Sequence, residues 1–95
     1  VATQVNHQVT HKIDEVEQYL ATGAAMTQIL NASHFLGYGA FWSTGIATYI
    51  EEFQEALGFD PLDYRLQGFI AIGTPRMPTP QKERPNYKDF TDVWP

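Results

Sequence analysis

The chain contains no cysteine, few positive charges and no long apolar run, and each of these absences removes a class of protein. Because cysteine is missing from all 95 residues, disulfide frameworks, thiolate metal sites, redox dithiols and cysteine nucleophiles are excluded. Six Lys and Arg against eleven Asp and Glu give a net charge of -5, which argues against nucleic acid or an anionic membrane as a partner. No stretch approaches the roughly 18 apolar residues of a transmembrane helix, and no secretion signal is recognisable. We therefore expect a cytoplasmic protein that borrows any redox chemistry from a cofactor.

The composition is that of a folded protein, with 43% hydrophobic and 18% charged residues. The length allows one domain, near the lower end of what a single hydrophobic core supports. Helical spacing of apolar residues from Lys12 to Leu36 predicts a long helix, and Gly37 follows where a left-handed residue commonly ends one. In this helix Gly23 predicts a close neighbour, because glycine costs about 1 kcal/mol there relative to alanine. Residues 1–11 lack an apolar face and are interpreted as a loop or a helix lead-in.

The middle of the chain predicts strand, helix and strand in turn. A short apolar run bounded by glycines, residues 38–42, is typical of a buried strand. Thr48 and Glu51 have the spacing of a capping box, which predicts a short amphipathic helix that ends before Gly58. Residues 66–72 form a second apolar run and predict a second buried strand. The fold class is therefore α+β.

Two buried strands are too few for a stable sheet, so we expect that part of the fold is missing from this chain or supplied by another one. Five of the six prolines lie between Pro75 and Pro95, which predicts an extended tail over residues 76–95. The tail carries apolar residues, Trp94 among them, that favour wrapping over its own or a partner's surface. We interpret residues 1–95 as one partial domain that ends in this tail.

Two segments are candidate binding sites on chemistry alone. Trp42-Ser43-Thr44-Gly45 places an aromatic side chain, two hydroxyls and a flexible residue at a strand end, which suits the rim of a site for a planar ring. An ordinary core residue followed by a turn would have the same composition. Lys82 and Arg84 alternate along an extended segment and could clamp a phosphate. A solvated charged loop is the simpler interpretation of that pair.

Three other sequence motifs do not indicate a functional site. His7 and His11 have the i, i+4 spacing of a metal pair, but two solvent-facing histidines are by far the more common meaning of that spacing, and no metal site is predicted. Ser33 and His34 are adjacent on a helix and cannot form a catalytic pair. Gly37 and its neighbours do not form a dinucleotide-binding loop, because the third glycine is missing. We assign no residue as a catalytic acid, base or nucleophile.

Four segments taken together resemble the C-terminal half of the FMN-dependent nitroreductase family. They are EQYLATGAA at residues 17–25, LGYGAFWSTG at residues 36–45, EALG at residues 55–58 and GFIAIGTP at residues 68–75. The resemblance covers nearly the whole chain, with the segments in the family's order and spacing. It implies an α+β sandwich built as an intertwined homodimer, with FMN at the subunit interface and C-terminal segments that embrace the neighbour.

The resemblance also implies site residues. Trp42, Ser43, Thr44 and Gly45 match the family segment that lies against the flavin ring, and Lys82 and Arg84 match a basic pair that holds the FMN phosphate in some members. Ser43 stands where an Arg is often found. The Arg-rich flavin motif of the family's N-terminal half has no counterpart here, so the chain resembles about half of an enzyme.

The implied activity is NAD(P)H-dependent reduction of a nitroaromatic, quinone or similar small-molecule acceptor by ping-pong hydride transfer through FMN. In such enzymes the cofactor performs the chemistry and the protein supplies position and electrostatics. The alternative is a catalytically silent dimerisation or interaction module, or an inactive fragment, that binds no flavin. A third possibility is an intact enzyme that has been cleaved.

Overall fold

The computed structural model describes residues 1–8 and 12–95 and contains two α-helices and four short β-strands. The elements are, in chain order, β1 (Ala2–Gln4), α1 (Glu15–Phe35), β2 (Gly39–Ser43), a 3-10 turn (Ile46–Tyr49), α2 (Glu51–Ala56), β3 (Tyr64–Leu66), β4 (Phe69–Gly73) and a second 3-10 turn (Tyr87–Asp89). The α+β class expected from the sequence is confirmed. Within the described residues, no helix is long and apolar enough to cross a membrane.

The strands form two antiparallel pairs. β1 pairs with β3, with Thr3 opposite Arg65, and β2 pairs with β4, with Phe41 opposite Ala71. The long helix α1 packs against β1, β2 and β4 and so holds the two pairs together. The order of the pairs brings the end of β2 beside the connection between β3 and β4, and this placement positions the candidate site.

The helix α1 agrees with its prediction, and its ends have clear physical causes. At its start the Glu17 carboxylate accepts a hydrogen bond from the Asp14 backbone N–H at 3.1 Å, and the negative charge there suits the helix dipole. At its end Gly37 adopts φ +87°, the left-handed conformation that glycine takes at low cost. The neighbour of Gly23 is the indole of Trp42, but it is not as close as expected, because its Cη2 would lie 3.7 Å from a Cβ placed on that glycine, an ordinary van der Waals distance.

Two strand predictions are wrong in their details. Residues 2–4, interpreted as part of a loop or helix lead-in, form β1, because their backbone pairs with β3, which is 60 or more residues away. The single strand predicted over residues 66–72 is divided into β3 and β4. Gly68 has φ +141°, a conformation incompatible with continuous strand, and it ends one pairing before the next begins.

The predicted capping box at Thr48 is also wrong. α2 begins at Glu51, preceded by a 3-10 turn to which Thr48 itself belongs. The Thr48 hydroxyl accepts a hydrogen bond from the backbone N–H of Gly45 at 2.9 Å, so it is directed backward along the chain and away from α2. The predicted end of α2 is confirmed, since Gly58 follows it with φ +87°.

Little apolar surface is buried within the described residues. The buried apolar side chains there are Val5, Met26 and Leu66. The predicted burial of the central strands is wrong, because Phe41 in β2 is 68% exposed and Ile72 in β4 is 55% exposed. Residues 71–95 are exposed throughout and include no strand beyond the end of β4. Their division into a domain and a separate tail stays a prediction.

Candidate functional site

The side chain of Trp42 is directed into the protein at the end of β2. It is partly buried, and its Nε1–H donates a hydrogen bond to the carbonyl of Gln67 at 3.3 Å. Gly68 lies directly against the indole, since a Cβ added there would be 2.5 Å from Trp42 Nε1 and 2.9 Å from the Ser43 carbonyl oxygen. With Gly23 of α1 next to the other part of the ring, the indole joins the helix to both strand pairs.

Residues 43–45 continue from this anchor toward the surface, and we call them the rim. Ser43 is partly buried and pairs with Phe69, whereas Thr44 and Gly45 are exposed. Among residues 1–8 and 12–95, the hydroxyls of Ser43 and Thr44 have no hydrogen-bond partner. Nothing lies within 4 Å of a Cβ added at Gly45. The rim therefore offers two free hydroxyls and an open approach to the backbone.

Thr48 fixes the far end of the rim. Its side chain is 1% exposed, and two hydrogen bonds connect it to Gly45: Gly45 N–H donates to the hydroxyl at 2.9 Å, and Thr48 N–H donates to the Gly45 carbonyl at 3.0 Å. Reciprocal bonds of this kind satisfy two backbone groups at the start of a turn. The sequence pattern predicts that Thr48 caps the helix that follows it, and so gives no indication of this connection to the rim.

Lys82 and Arg84 lie in the exposed C-terminal segment. Neither side chain makes a hydrogen bond or an ion pair with any residue that the structure describes, so the structure does not join them to the rim. A pair of free cations in a chain of net charge -5 suits a phosphate, which Arg can hold through two parallel hydrogen bonds.

A separate open cleft of about 430 Å³ is lined by Tyr19, Tyr49, Gln54, Arg65, Leu66 and Gln67. The guanidinium of Arg65 donates hydrogen bonds to the backbone carbonyls of Pro61 and Tyr64. Burial, followed by the hydrogen bond to the Glu15 carboxylate, raises the pKa of the Tyr19 phenol, and Arg65 opposes this shift. The phenol is therefore held as a neutral hydrogen-bond donor. The sequence did not indicate this cleft.

A chain of polar contacts connects Gln67, which lines the cleft, to α1. Gln67 Nε2–H donates to Thr3 Oγ1 at 2.8 Å, and the Thr3 hydroxyl donates to Thr22 Oγ1 at 2.8 Å. Thr22 in turn donates to the Gln18 carbonyl at 3.2 Å. This chain connects the β3–β4 connection, β1 and α1, and it holds the Gln67 carbonyl where the Trp42 indole donates to it.

The serine–histidine pair does not form a site among the described residues, and the structure describes only one member of the histidine pair. His7 makes a hydrogen bond through Nε2 with the Leu62 carbonyl at 2.8 Å, while His11 lies outside the described residues. Ser33 is buried and donates to the Ile29 carbonyl at 2.8 Å, away from the exposed His34. No group of three or more potential metal ligands lies within the part of the chain that the structure describes.

Gly68 and Thr48 are the residues of this region that the sequence analysis missed. For Gly68 a signal was present, because a glycine inside an apolar run commonly marks a bulge or a close backbone approach. For Thr48 the spacing was misleading, since a threonine three residues before a glutamate has the same form whether it caps a helix or a turn.

The comparisons with known proteins agree on one family. The family model "Nitroreductase family" matches residues 2–74. A curated protein of Escherichia coli K12, named "Putative NAD(P)H nitroreductase YdjA", is 31% identical over 67 residues, which cover 70% of this chain and 36% of that protein.

Two solved structures have the same fold. The nitroreductase-like family protein from Bacillus cereus matches with a TM-score of 0.76 at 25% identity, covering 88% of this chain and 44% of that one. A structure from Desulfovibrio desulfuricans, described as "a putative nitroreductase in complex with fmn", matches with a TM-score of 0.70 at 30% identity, covering 87% of this chain and 49% of that one. The chain thus spans less than half the length of these relatives. The resemblance seen in the sequence is confirmed, and the chain belongs to the nitroreductase family.

Proposed function

We propose that this chain is a portion of an FMN-dependent NAD(P)H oxidoreductase and that its rim and basic pair contribute to the flavin site. The observation that carries the proposal is the family match over residues 2–74, together with the fold shared with a nitroreductase described in complex with FMN. The name of the Escherichia coli relative supports a nicotinamide nucleotide as the reductant.

The donor set of the chain fits the cofactor. Free hydroxyls at Ser43 and Thr44 and the open backbone at Gly45 suit the polar edge of a flavin ring, which needs hydrogen-bond partners along one side only. Lys82 and Arg84, exposed and without ion pairs in the described part of the chain, suit its phosphate. Trp42 contributes as the anchor of the rim, because its indole is engaged by Gln67 and Gly68.

When bound, FMN supplies the redox chemistry, namely ping-pong transfer of hydride from NAD(P)H to a nitroaromatic, quinone or similar acceptor. The role of this chain is binding and positioning, because donors fixed beside the ring stabilise the charge that develops on reduction. We propose a homodimer as the active assembly. The extended C-terminal segment, with its exposed aromatic residues, is the part of the chain suited to cross to a neighbour.

The test is FMN titration of the full chain, followed by visible absorption and by quenching of flavin fluorescence. We expect the double variant Lys82→Ala, Arg84→Ala to bind FMN at least about 100-fold more weakly, because each charge-assisted contact contributes about 1.5–3 kcal/mol. The double variant Arg76→Ala, Lys88→Ala is a matched control, since it also removes one arginine and one lysine from the exposed segment. Its affinity should stay within about threefold of wild type.

Equal weakening by both double variants would point to general electrostatic attraction and would contradict a phosphate site at Lys82 and Arg84. A wild-type chain that retains no FMN after dialysis would contradict the flavin-binding proposal itself. That outcome would support the alternative of a catalytically silent module. An FMN-loaded chain should also lose its visible absorption on addition of NADH or NADPH, and the more effective nucleotide identifies the reductant.

A further inference from the structure

The turn at residues 45–48 has two features that do not follow from backbone geometry alone. Gly45 has φ -137° and ψ 176°, an extended conformation open to any residue, so no strain requires a glycine there. Thr48 is almost completely buried, 1% exposed, although threonine is usually a surface residue. Both features are explained if the turn serves the rim that precedes it.

The rim is held at each of its ends. At Trp42 the indole is fixed by its hydrogen bond to the Gln67 carbonyl and by the close approach of Gly68. At Gly45 both backbone polar groups are bonded to Thr48, at 2.9 and 3.0 Å. Ser43 and Thr44 lie between these anchors, and their hydroxyls have no partner among the described residues. The geometry is therefore that of a short segment that is fixed at both ends and has two free hydroxyls between them.

We propose that Thr48 is a positioning residue, which holds the rim in its ligand-binding conformation before FMN arrives. This inference rests on the proposed function, because it assigns Thr48 a role at the same flavin site. Thr48 acts through Gly45 and does not itself face the ligand, since its side chain is buried. The lack of a side chain at Gly45 then lets a ligand approach the backbone closely, because no atom lies within 4 Å of the position that a Cβ would take.

The energetic argument is one of pre-organisation. If the rim adopts its ligand-binding conformation in only a fraction of the molecules, the apparent affinity for the ligand is the intrinsic affinity multiplied by that competent fraction. Without the Thr48 hydroxyl, the Gly45 N–H loses its partner and the rim samples other conformations, so the competent fraction falls. The loss of one hydrogen bond of this kind corresponds to roughly a tenfold change in an equilibrium constant. Because the competent fraction cannot fall by more than this equilibrium constant does, we expect the affinity for FMN to weaken by up to about tenfold when the hydroxyl is removed.

Two substitutions separate the hydroxyl of Thr48 from its methyl group. Thr48→Val keeps the shape of the side chain and removes the hydroxyl, whereas Thr48→Ser keeps the hydroxyl and removes the methyl. We expect Thr48→Val to raise the dissociation constant of FMN by about three- to tenfold and Thr48→Ser to leave it within about twofold of wild type. Titrations use the full chain, and far-ultraviolet circular dichroism verifies that each variant is folded.

Hydrogen exchange of the Gly45 amide, measured by NMR without FMN, gives a readout that does not depend on the cofactor. The amide should exchange slowly in wild type and Thr48→Ser, and about tenfold faster in Thr48→Val. If Thr48→Val fails to fold, the exchange rate of the Gly45 amide in wild type and the FMN dissociation constant of Thr48→Ser still test the positioning role. An unprotected Gly45 amide in the wild-type chain would overturn the positioning role.

The affinities distinguish this inference from the proposed function. If the wild-type chain binds FMN and Thr48→Val binds it equally well, the positioning role is overturned and the flavin site stands. If Thr48→Ser binds as weakly as Thr48→Val, the methyl group and not the hydroxyl is responsible, and the role assigned here is wrong. If the wild-type chain retains no FMN, the flavin site fails and the positioning role fails with it.

Discussion

Gly68 occupies a position where the backbone and the indole of Trp42 leave no room for a side chain. Its φ of +141° lies in a region that other residues enter only with strain of about 1–3 kcal/mol. A Cβ would approach the Ser43 carbonyl oxygen to 2.9 Å, and a backbone atom of a paired strand cannot easily move. One residue therefore separates β3 from β4 and also permits the Trp42 anchor.

We predict that Gly68→Ala destabilises the chain by roughly 2–6 kcal/mol, the sum of backbone strain and overpacking against the indole. The measurement is the free energy of unfolding from urea titration of the two proteins. Gly73→Ala is the matched control, because Gly73 also lies in β4 yet has an open surrounding. The control should be neutral or more stable by less than about 1 kcal/mol. Equal stability of Gly68→Ala and wild type would contradict the steric argument.

At the scale of the element, α1 contains a glycine that its packing does not require. A Cβ at Gly23 would lie 3.7 Å from Trp42 Cη2, which is an ordinary van der Waals distance. Gly23 is in the interior of a 21-residue helix, where alanine is more favourable than glycine by about 0.8–1 kcal/mol. The helix-propensity cost of Gly23 is therefore not offset by a need for Trp42 to approach the helix backbone closely.

We predict that Gly23→Ala stabilises the chain by about 0.5–1 kcal/mol, since it gains helix propensity and adds one contact with the indole. Thermal and urea unfolding of the variant measure this gain. Gly23→Val serves as the contrast, because its larger branched side chain has to displace Trp42, and we expect it to be less stable than Gly23→Ala. A destabilised alanine variant would show that the indole packs more tightly than the 3.7 Å distance indicates.

Elements formed by local pattern could be predicted from the sequence, whereas elements formed by distant pairing could not. The apolar periodicity and the glycine at its end gave α1 within about three residues of its observed bounds, because helix bonds join residues four apart. β1 has only three residues, and its pairing with β3 leaves no periodic signal in a short window of sequence.

The same distinction between local pattern and distant contact applies to the candidate site. The rim could be found from its composition, but its fixation by Thr48 and Gln67 depends on three-dimensional contacts.

At the scale of the whole molecule, the chain has more exposed apolar surface than a self-contained domain. Its radius of gyration is 17.3 Å, compared with roughly 12 Å for a compact domain of this length. The exposed fractions of Leu20, Phe35 and Phe41 are 67%, 87% and 68%, and patches of this kind usually mark surfaces covered by other polypeptide. The relatives, of which the chain spans less than half, contain additional chain that could cover such surfaces.

The C-terminal segment leads to the final prediction. Phe90 and Trp94 are 76% and 93% exposed, and burial of each large apolar side chain contributes about 1.5–3 kcal/mol. We therefore expect the chain to form a homodimer in which this segment packs on the neighbour. The double variant Phe90→Ser, Trp94→Ser should raise the dimer dissociation constant at least about 100-fold, because both copies lose their anchors. Sedimentation equilibrium measures this constant directly.

The control for this experiment is the double variant Thr79→Ser, Gln81→Ser, which changes two uncharged exposed residues of the same segment and removes no apolar anchor. Its dissociation constant should equal that of wild type. Acrylamide quenching of tryptophan fluorescence adds a local readout, with the contribution of Trp42 taken from the variant Trp94→Phe. The Trp94 indole should become less accessible as the protein concentration rises through the dimerisation range. A chain that sediments as a monomer at all concentrations, with Trp94 fully accessible, would contradict the dimer. Dimerisation unchanged by Phe90→Ser, Trp94→Ser would instead place the interface on another surface, and the exposed apolar face of α1, which includes Val16 and Leu20, would be the next to substitute.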